Sequence, residues 1–298
     1  MPRVRTGLVQ DPLFLRHDTG PGHPERPDRM RAALRGVAGL PLLEVAPRDA
    51  TSAEMEGAHD PAYLAWVKGS VERGAGALDP DTPVCAESWG VAVRASGAAL
   101  ALGEAWLSGR IEAGFACIRP PGHHACRARA MGFCLVNHMA VLARFLAARG
   151  KRVAIVDWDV HHGNGTQDIF WGDPTVLYVS LHQMPLYPGT GAAHERGAGN
   201  ILNVPLPPGT GDAAYLAAFD ARVLPALEVR APDVVLVSCG FDAHARDRIA
   251  QFELSTACYG KLTLRLARWP VLSLLEGGYD LVALEESVRE HLRALLQA

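Results

Sequence analysis

Near its middle the chain reads Arg152-Val-Ala-Ile-Val-Asp-Trp-Asp-Val-His-His-Gly-Asn164, an apolar run that leads into acidic and imidazole side chains. After its first residue, Arg152–Val156 is apolar without alternation, which is typical of a parallel strand covered on both faces. In extended backbone, Asp157, Asp159 and His161 are spaced by two residues and point to the same side. The stretch therefore predicts a buried strand whose end carries side chains able to bind one metal ion.

Strand-like and helix-like segments alternate outward from this stretch. The other strand candidates are Gly114–Ile118, Thr175–Leu181, Asp233–Ser238 and Val271–Leu275. The helix candidates are Trp89–Leu107, Asn137–Arg149, Asp212–Leu227, Glu253–Arg268 and Leu281–Leu296. Three Gly- and Pro-rich segments read as long loops, namely Gly20–Pro27, Gly74–Pro83 and Pro185–Gly199. The alternation predicts βαβ units in an open, mostly parallel sheet, and we expect one α/β domain over residues 1–298.

Composition narrows the class of protein. The 298 residues are 49% hydrophobic and have a formal net charge of -3, which allows a large core and argues against nucleic acid as the main partner. The first residues form no apolar signal segment, and no apolar run reaches the ~18 residues of a membrane span. The six cysteines form no C-x-x-C pair and read as reduced thiols. We therefore expect a cytoplasmic protein with no membrane partner.

Polar clusters follow the other strong strand candidates as well. These clusters are Arg119-Pro-Pro-Gly-His-His124, Cys239-Gly-Phe-Asp-Ala-His244 and Glu276-Gly-Gly-Tyr-Asp280. Because ligands bind outside the carboxyl ends of parallel strands, all the clusters are expected to converge on one crevice. There Asp242 can join Asp159 and His161 as a third ligand. Three oxygen and nitrogen ligands leave a coordination position open, which favours a catalytic zinc ion or another transition metal.

These segments resemble the histone-deacetylase superfamily, which also holds acetylpolyamine amidohydrolases and acetoin-utilisation proteins. From about residue 20 to 280 the matching segments are His23-Pro-Glu-Arg-Pro-Asp-Arg29, Arg119-Pro-Pro-Gly-His-His124, Gly132-Phe-Cys134 with Asn137, Asp157-Trp-Asp-Val-His-His-Gly-Asn-Gly-Thr-Gln167, Tyr187-Pro-Gly-Thr-Gly191, Gly240-Phe-Asp242 and Glu276-Gly-Gly-Tyr279. The segments Asp157–Gln167 and Glu276–Tyr279 look like those of the class II branch and its bacterial relatives. The resemblance implies an arginase/deacetylase-like three-layer α/β fold, with long loops at the carboxyl ends of the strands.

The resemblance also implies a catalytic apparatus. The implied ligands of one zinc ion, with iron as the alternative metal in the cell, are Asp159, His161 and Asp242. His123 and His124 would do the acid–base work, and Tyr279 would polarise the scissile carbonyl. These roles agree with the chemistry of amide hydrolysis, which needs an activated water, a proton for the leaving amine and a donor to the oxyanion.

Two residues resemble partners of the histidines. By this analogy Asp157 pairs with His123, and Asn164 pairs with His124. A carboxylate raises the basicity of an imidazole far more than an amide does. We therefore hypothesise that His124 is the less basic histidine, neutral at rest and suited to be the general base.

The resemblance assigns further residues to substrate and ion binding. Gly132, Phe133 and Tyr187 would line an apolar tunnel for a lysine stem, with ordinary aromatic packing as the alternative for the two rings. Arg29 would line an acetate-release channel, or else form a surface salt bridge. Asp81 or Asp79 would be a rim carboxylate, or else a turn residue. The implied site of a structural potassium ion comprises Asp157, Asp159, His161, Ser180 and Leu181, with a plain strand-end hydrogen-bonding role as the alternative for Ser180.

Substrate choice rests on one position. One acetylpolyamine branch has a glutamate seven positions after the third metal ligand, where this chain has Ile249. An apolar side chain does nothing for a second ammonium group, which favours acyl-lysine in proteins or peptides over a small acylated amine such as a polyamine. A non-catalytic acyl-lysine binder is a third reading, but the metal ligands and Tyr279 are all present. The sequence leaves open whether the chain forms a homo-oligomer.

Overall fold

The structure is a computed structural model that describes residues 5–297. Its strands are β1 (Thr6–Val9), β2 (Leu43–Glu44), β3 (Ala77–Asp79), β4 (Thr82–Pro83), β5 (Ala113–Ala116), β6 (Val153–Asp157), β7 (Val176–Gln183), β8 (Ile201–Leu206), β9 (Val234–Cys239) and β10 (Val271–Leu275). Its α-helices are α1 (Pro27–Val37), α2 (Ser52–Glu56), α3 (Pro61–Glu72), α4 (Ser88–Leu107), α5 (His138–Ala147), α6 (Asn164–Phe170), α7 (Asp212–Ala218), α8 (Leu224–Arg230), α9 (Thr256–Leu266) and α10 (Leu281–Leu295).

Eight strands form one sheet in the order β2-β1-β5-β10-β9-β6-β7-β8, and every pairing in it is parallel. The inner strands β5, β10, β9 and β6 are buried along their whole length, as their mostly apolar sequences predict. Helices cover the sheet: α10 packs between α1 and α9, while α4 packs against α5 and on β1 and β5. The predicted three-layer α/β architecture is confirmed.

The order of the inner strands positions the polar clusters. The strands β5, β10, β9 and β6 are consecutive neighbours, so the clusters that follow them meet at one edge of the sheet. Although β10 is the last strand of the chain, it lies in the middle of the sheet between β5 and β9. The convergence expected from the sequence therefore arises from the parallel register of four adjacent strands.

The predicted elements differ from the observed ones in several places. The bounds of the five predicted strands shift by no more than two residues, and Asn137 caps α5 instead of opening it, its Oδ1 accepting the N–H of Ala140 at 2.8 Å. The helix predicted at Asp212–Leu227 is divided by a π-helical turn at Phe219–Val223. Pro225 has no N–H for the carbonyl four residues earlier, which accounts for the wider turn. The predicted loop Gly74–Pro83 contains the antiparallel hairpin β3–β4.

Two further observations complete the description of the fold. The segment Pro185–Gly199 contains neither helix nor strand, as predicted. Among the helices of residues 5–297, none has the length and apolarity needed to cross a bilayer.

Candidate active site

The carboxyl ends of β6 and β9 bring Asp159, His161 and Asp242 together. Nδ1 of His161 lies 3.0 Å from Oδ1 of Asp159 and 3.1 Å from Oδ2 of Asp242. One ligand atom from each residue lies within 4.8 Å of the others, and all three side chains are buried. Two carboxylates and one imidazole form the donor set predicted from the sequence, and such a set fits a transition-metal ion.

Backbone groups and glycines shape the space around these ligands. The N–H of Gly277 donates to Oδ2 of Asp159 at 2.8 Å, and the N–H of Val160 donates to Oδ1 of Asp242 at 2.9 Å. A Cβ atom added at Gly277 would collide with both carboxylates, and one at Gly240 would collide with that of Asp159. Glycine at positions 277 and 240 therefore leaves room for the carboxylates, and the backbone N–H groups orient them.

The electrostatics of this group favour a positive charge. Burial and the neighbouring Asp159 raise the pKa of Asp242 to about 7. Burial lowers the pKa of His161, but the hydrogen bonds to Asp159 and Asp242 outweigh it and raise that pKa to about 9. Two buried carboxylates thus stabilise any cation placed between them, whether a proton or a metal ion.

The two histidines of the cluster after β5 lie side by side, with ring centroids 4.1 Å apart. His123 Nδ1 donates to Oδ2 of Asp157 at 3.1 Å, and His124 Nδ1 donates to Oδ1 of Asn164 at 2.7 Å. The pairings implied by the resemblance are thus the ones present in the structure. With each Nδ1 engaged, the Nε2 atoms are left for other chemistry, and that of His123 lies 3.8 Å from Oδ1 of Asp159.

The environments of the two imidazoles push their pKa values apart. Burial lowers the pKa of His123, but Asp159 and Asp157 outweigh it and raise this pKa well above its ordinary value. Burial, His123 and His161 lower the pKa of His124 well below its ordinary value. Two titratable groups separated in this way are suited to different proton-transfer roles.

Tyr279 follows β10 at the end of a glycine pair that gives the backbone an unusual course. Gly278 has a φ of +120°, a conformation that L side chains rarely adopt. Nε of Arg29 donates to the carbonyl of Gly278 at 2.6 Å, and its guanidinium lies 4.7 Å from the centroid of the Tyr279 ring. Arg29 is fully buried and ion-paired with the buried Glu25, which excludes the surface salt bridge as its role.

A cavity of about 200 Å³ connects these groups. The residues that line it are Asp81, Pro121, His123, His124, Gly132, Phe133, His161, Leu186, Tyr187, Ile249, Gly277 and Tyr279. The Tyr187 ring lies 5.2 Å from that of His124, and the Phe133 ring lies 6.1 Å from that of Tyr279, measured between centroids. Of the substrate-binding residues proposed from the sequence, Asp81, Gly132, Phe133, Tyr187 and Ile249 line this cavity, whereas Arg29 and the alternative carboxylate Asp79 do not.

The two candidate rim carboxylates differ in position. Asp81 lies at the turn of the β3–β4 hairpin and lines the cavity. Its Oδ1 accepts the N–H of Gly132 at 3.0 Å and the hydroxyl of Thr82 at 2.8 Å. Asp79 lines a separate surface pocket and is 3.4 Å from the N–H of Asp81. Of the two alternatives, only Asp81 lines the cavity.

Residues 23–295 match the family described as "Histone deacetylase domain". The chain belongs to the histone deacetylase family. It is 36% identical over 293 residues to "Probable deacetylase" of Archaeoglobus fulgidus, covering 92% of this chain and 81% of that one. It is 40% identical over 291 residues to "Histone deacetylase 15" of Arabidopsis thaliana, covering 92% of this chain but 53% of that one.

Two more similarities extend over nearly the whole chain. An uncharacterised protein of Synechocystis sp. is 44% identical over 308 residues, covering 97% of this chain and 99% of that one. The solved structure "Crystal Structure of HDA15 HD domain" superposes with a TM-score of 0.95 at 38% identity, covering 99% of this chain and 88% of that one. Family membership identifies the chain as a deacetylase, an amide hydrolase that acts on acylated substrates.

Two buried residues of this deacetylase support the site without having been assigned a role from the sequence. Glu276 accepts the N–H groups of Gly122 and His123 at 2.6 and 3.1 Å, and burial raises its pKa to about 7. The Tyr178 hydroxyl donates to Oδ2 of Asp157 at 3.0 Å. The Glu-Gly-Gly-Tyr motif pointed to the region of Glu276, whereas Tyr178 lies inside a strand and gave no signal.

The residues expected to hold a potassium ion lie on two neighbouring strands, β6 and β7, and in the segment just after β6. Asp157 at the end of β6 is in register with Ser180 on β7. The Ser180 hydroxyl lies 2.9 Å from Nδ1 of His182, and the Leu181 carbonyl is 3.5 Å from the hydroxyl of Tyr215. Potassium binding by Asp157, Asp159, His161, Ser180 and Leu181 stays a prediction.

Proposed function

We propose that this deacetylase is zinc-dependent and removes acetyl or other short acyl groups from lysine side chains of peptides or proteins. One observation carries the proposal: a single cavity is lined by the histidine pair, by Tyr279 and by His161, whose imidazole belongs to the Asp-His-Asp group. Its aromatic walls, Phe133 and Tyr187, suit the methylene stem of a lysine. Family membership supports deacylation, and the buried oxygen and nitrogen donors support zinc.

The proposed mechanism assigns metal binding and proton transfer to different residues of the site. Asp159, His161 and Asp242 would hold zinc, which when bound polarises the amide carbonyl and acidifies water. His124, neutral because its pKa is low, accepts the proton of the attacking water at Nε2. His123, cationic because its pKa is high, donates a proton to the departing amine.

Tyr279 completes the mechanism as a hydrogen-bond donor. Burial raises the pKa of Tyr279 well above its ordinary value, although Arg29 opposes this shift. The hydroxyl therefore stays protonated across the working pH range and donates to the oxyanion that develops on the substrate carbonyl. At the mouth of the cavity, the Asp81 carboxylate is available to accept an N–H from the substrate backbone.

The substrate class can be tested directly on the zinc-reconstituted protein. The panel comprises acetyl-, propionyl- and trifluoroacetyl-lysine peptides beside N-acetylputrescine and N-acetylspermidine. Because the half-buried Ile249 offers no partner to a second ammonium, kcat/KM is expected to be about tenfold or more higher for the lysine peptides. An Ile249→Glu variant should reverse part of this preference. Turnover of the polyamines alone would contradict the lysine assignment.

Asn164→Asp tests the division of roles between the histidines. The new carboxylate would lie at the position of an amide oxygen 2.7 Å from His124 Nδ1, and its negative charge should raise the pKa of this histidine. A general base must be neutral, so activity is lost as the pH falls through its pKa. The acidic limb of the kcat/KM profile is therefore expected to move to higher pH. An unchanged limb would remove His124 from the role of general base.

A further inference from the structure

The loop that follows Asp242 carries a second buried carboxylate, Asp247, which is only 5% exposed. Its Oδ2 accepts the N–H of Tyr279 at 2.5 Å and the N–H of Asp280 at 3.1 Å. Its Oδ1 accepts the N–H of Ile249 at 3.2 Å. Tyr279 and Ile249 both line the cavity. The Asp247 carboxylate therefore binds the backbone of two cavity-lining residues.

The loop that bears Asp247 is itself anchored. The N–H of Ala245 donates to the carbonyl of Leu254 at 2.9 Å, and the N–H of Leu254 donates to the carbonyl of Ala243 at 3.1 Å. These bonds close the loop between Ala243 and Leu254, which begins shortly after the end of β9. Asp247 therefore provides a fixed point against which the segment after β10 is held.

Two buried charges hold the backbone on either side of Tyr279. Nη2 and Nε of Arg29 donate to the carbonyls of Glu276 and Gly278, at 2.5 and 2.6 Å. Asp247 accepts the N–H groups that come next along the chain. The intervening glycines have no side chains to pack, so the course of this segment depends on its backbone hydrogen bonds, which also include those of Gly277 to Asp159 and Phe241.

We propose that Asp247 is a positioning residue that sets where the Tyr279 hydroxyl meets the scissile carbonyl. The inference rests on the proposed function, in which that hydroxyl stabilises the oxyanion. The hydroxyl lies at the far end of the side chain, so a small rotation of the Tyr279 backbone displaces it further than the backbone itself. A misplacement of about 1 Å at a reacting centre can lower the rate by about 10²-fold.

An Asp247→Asn variant breaks this arrangement at constant size. The Asp247 carboxylate accepts these N–H groups with two oxygens, but an asparagine amide has only one acceptor oxygen. Its NH2 group must therefore face either the N–H of Ile249 or the N–H groups of Tyr279 and Asp280. We expect kcat on the acetyl-lysine peptide to fall by about 10- to 100-fold, with a much smaller change in KM. In a Tyr279→Phe background the same substitution should change kcat by no more than about twofold, because the hydroxyl it positions is gone.

The control variant is Asp212→Asn. Asp212 also accepts a backbone N–H from a distant segment, that of Ser255 at 2.8 Å, but it lies outside the cavity. The Asp212→Asn variant should lower the urea concentration at the unfolding midpoint without changing kcat. Zinc content is measured for every variant, because Asp247 lies in the same loop as Asp242.

The outcomes separate the two proposals. An equal fall in kcat in the parent and in the Tyr279→Phe background, at full zinc content, would overturn the positioning role and leave Asp247 a purely structural residue. A Tyr279→Phe enzyme as active as the parent would instead overturn the role of the hydroxyl itself. If Asp247→Asn does not fold, Asp247→Glu retains the buried charge with an altered reach, and the same cycle is applied to it.

Discussion

Replacement of His161 by alanine is expected to abolish zinc binding and deacylation together, with kcat/KM falling by about 10³-fold or more. His161 contributes the nitrogen donor of the group formed with Asp159 and Asp242, and without it two buried carboxylates face each other with no imidazole between them. A Lewis acid supplies several kcal/mol of transition-state stabilisation, and each ~1.4 kcal/mol is a factor of ten in rate.

Metal content and thermal unfolding check this prediction without relying on activity. The parent should bind one zinc ion per chain, and zinc at about 100 times its Kd should stabilise it by about 2.7 kcal/mol. His161→Ala should show neither effect. The matched control is His162→Ala, which removes the adjacent buried imidazole, whose nitrogens lie near Thr190 and Gln167. A His161→Ala protein that still binds zinc stoichiometrically would contradict the proposed ligand set.

Tyr279→Phe is expected to lower kcat by about 10²–10³-fold with little change in KM or zinc content. The substitution removes one hydrogen-bond donor from the oxyanion, and losses of this size follow the removal of such donors. The ring and its contact with the Arg29 guanidinium remain, so the cavity should keep its shape. Steady-state kinetics on an acetyl-lysine peptide provides the measurement.

Tyr63→Phe is the matched control for Tyr279→Phe. The Tyr63 hydroxyl donates to the carbonyl of Leu135 at 2.7 Å, and Tyr63 does not line the cavity. Loss of this bond should cost about 1 kcal/mol of stability while kcat stays unchanged. If both substitutions reduced kcat equally, the effect of Tyr279→Phe could not be assigned to the oxyanion.

The inner sheet was predictable because its strands bury both faces. β6 and β9 each begin with four consecutive apolar residues and stand out from the helical segments around them. β8 was not predicted, since Asn203 and Pro205 interrupt its apolar pattern. Proline is tolerated there because β8 is an edge strand of the sheet. β1, Thr6–Val9, was not predicted either.

Some residues of the site could likewise be predicted from the sequence, and others could not. The spacing of Asp157, Asp159 and His161 is a local property, and the sequence predicted that they share a direction on extended backbone. In the structure β6 ends at Asp157, and Asp159 and His161 lie in bends beyond the strand. Asp247 lies between two arginines in a polar loop, which resembles an exposed segment in sequence. Its burial depends on how the loop folds back onto the residues after β10, and no local pattern encodes that contact.

The central position of β10 also gives the site an order of assembly during synthesis. A nascent chain that ends before β10 already contains Asp159, His161 and Asp242, but β5 and β9 have no strand between them. Glu276, which binds the backbone of the histidine pair, and Tyr279 are translated only after β10. The ribosome thus supplies all three proposed metal ligands before Tyr279, the proposed hydrogen-bond donor to the oxyanion, and we expect hydrolysis to begin only after the last strand of the sheet is in place.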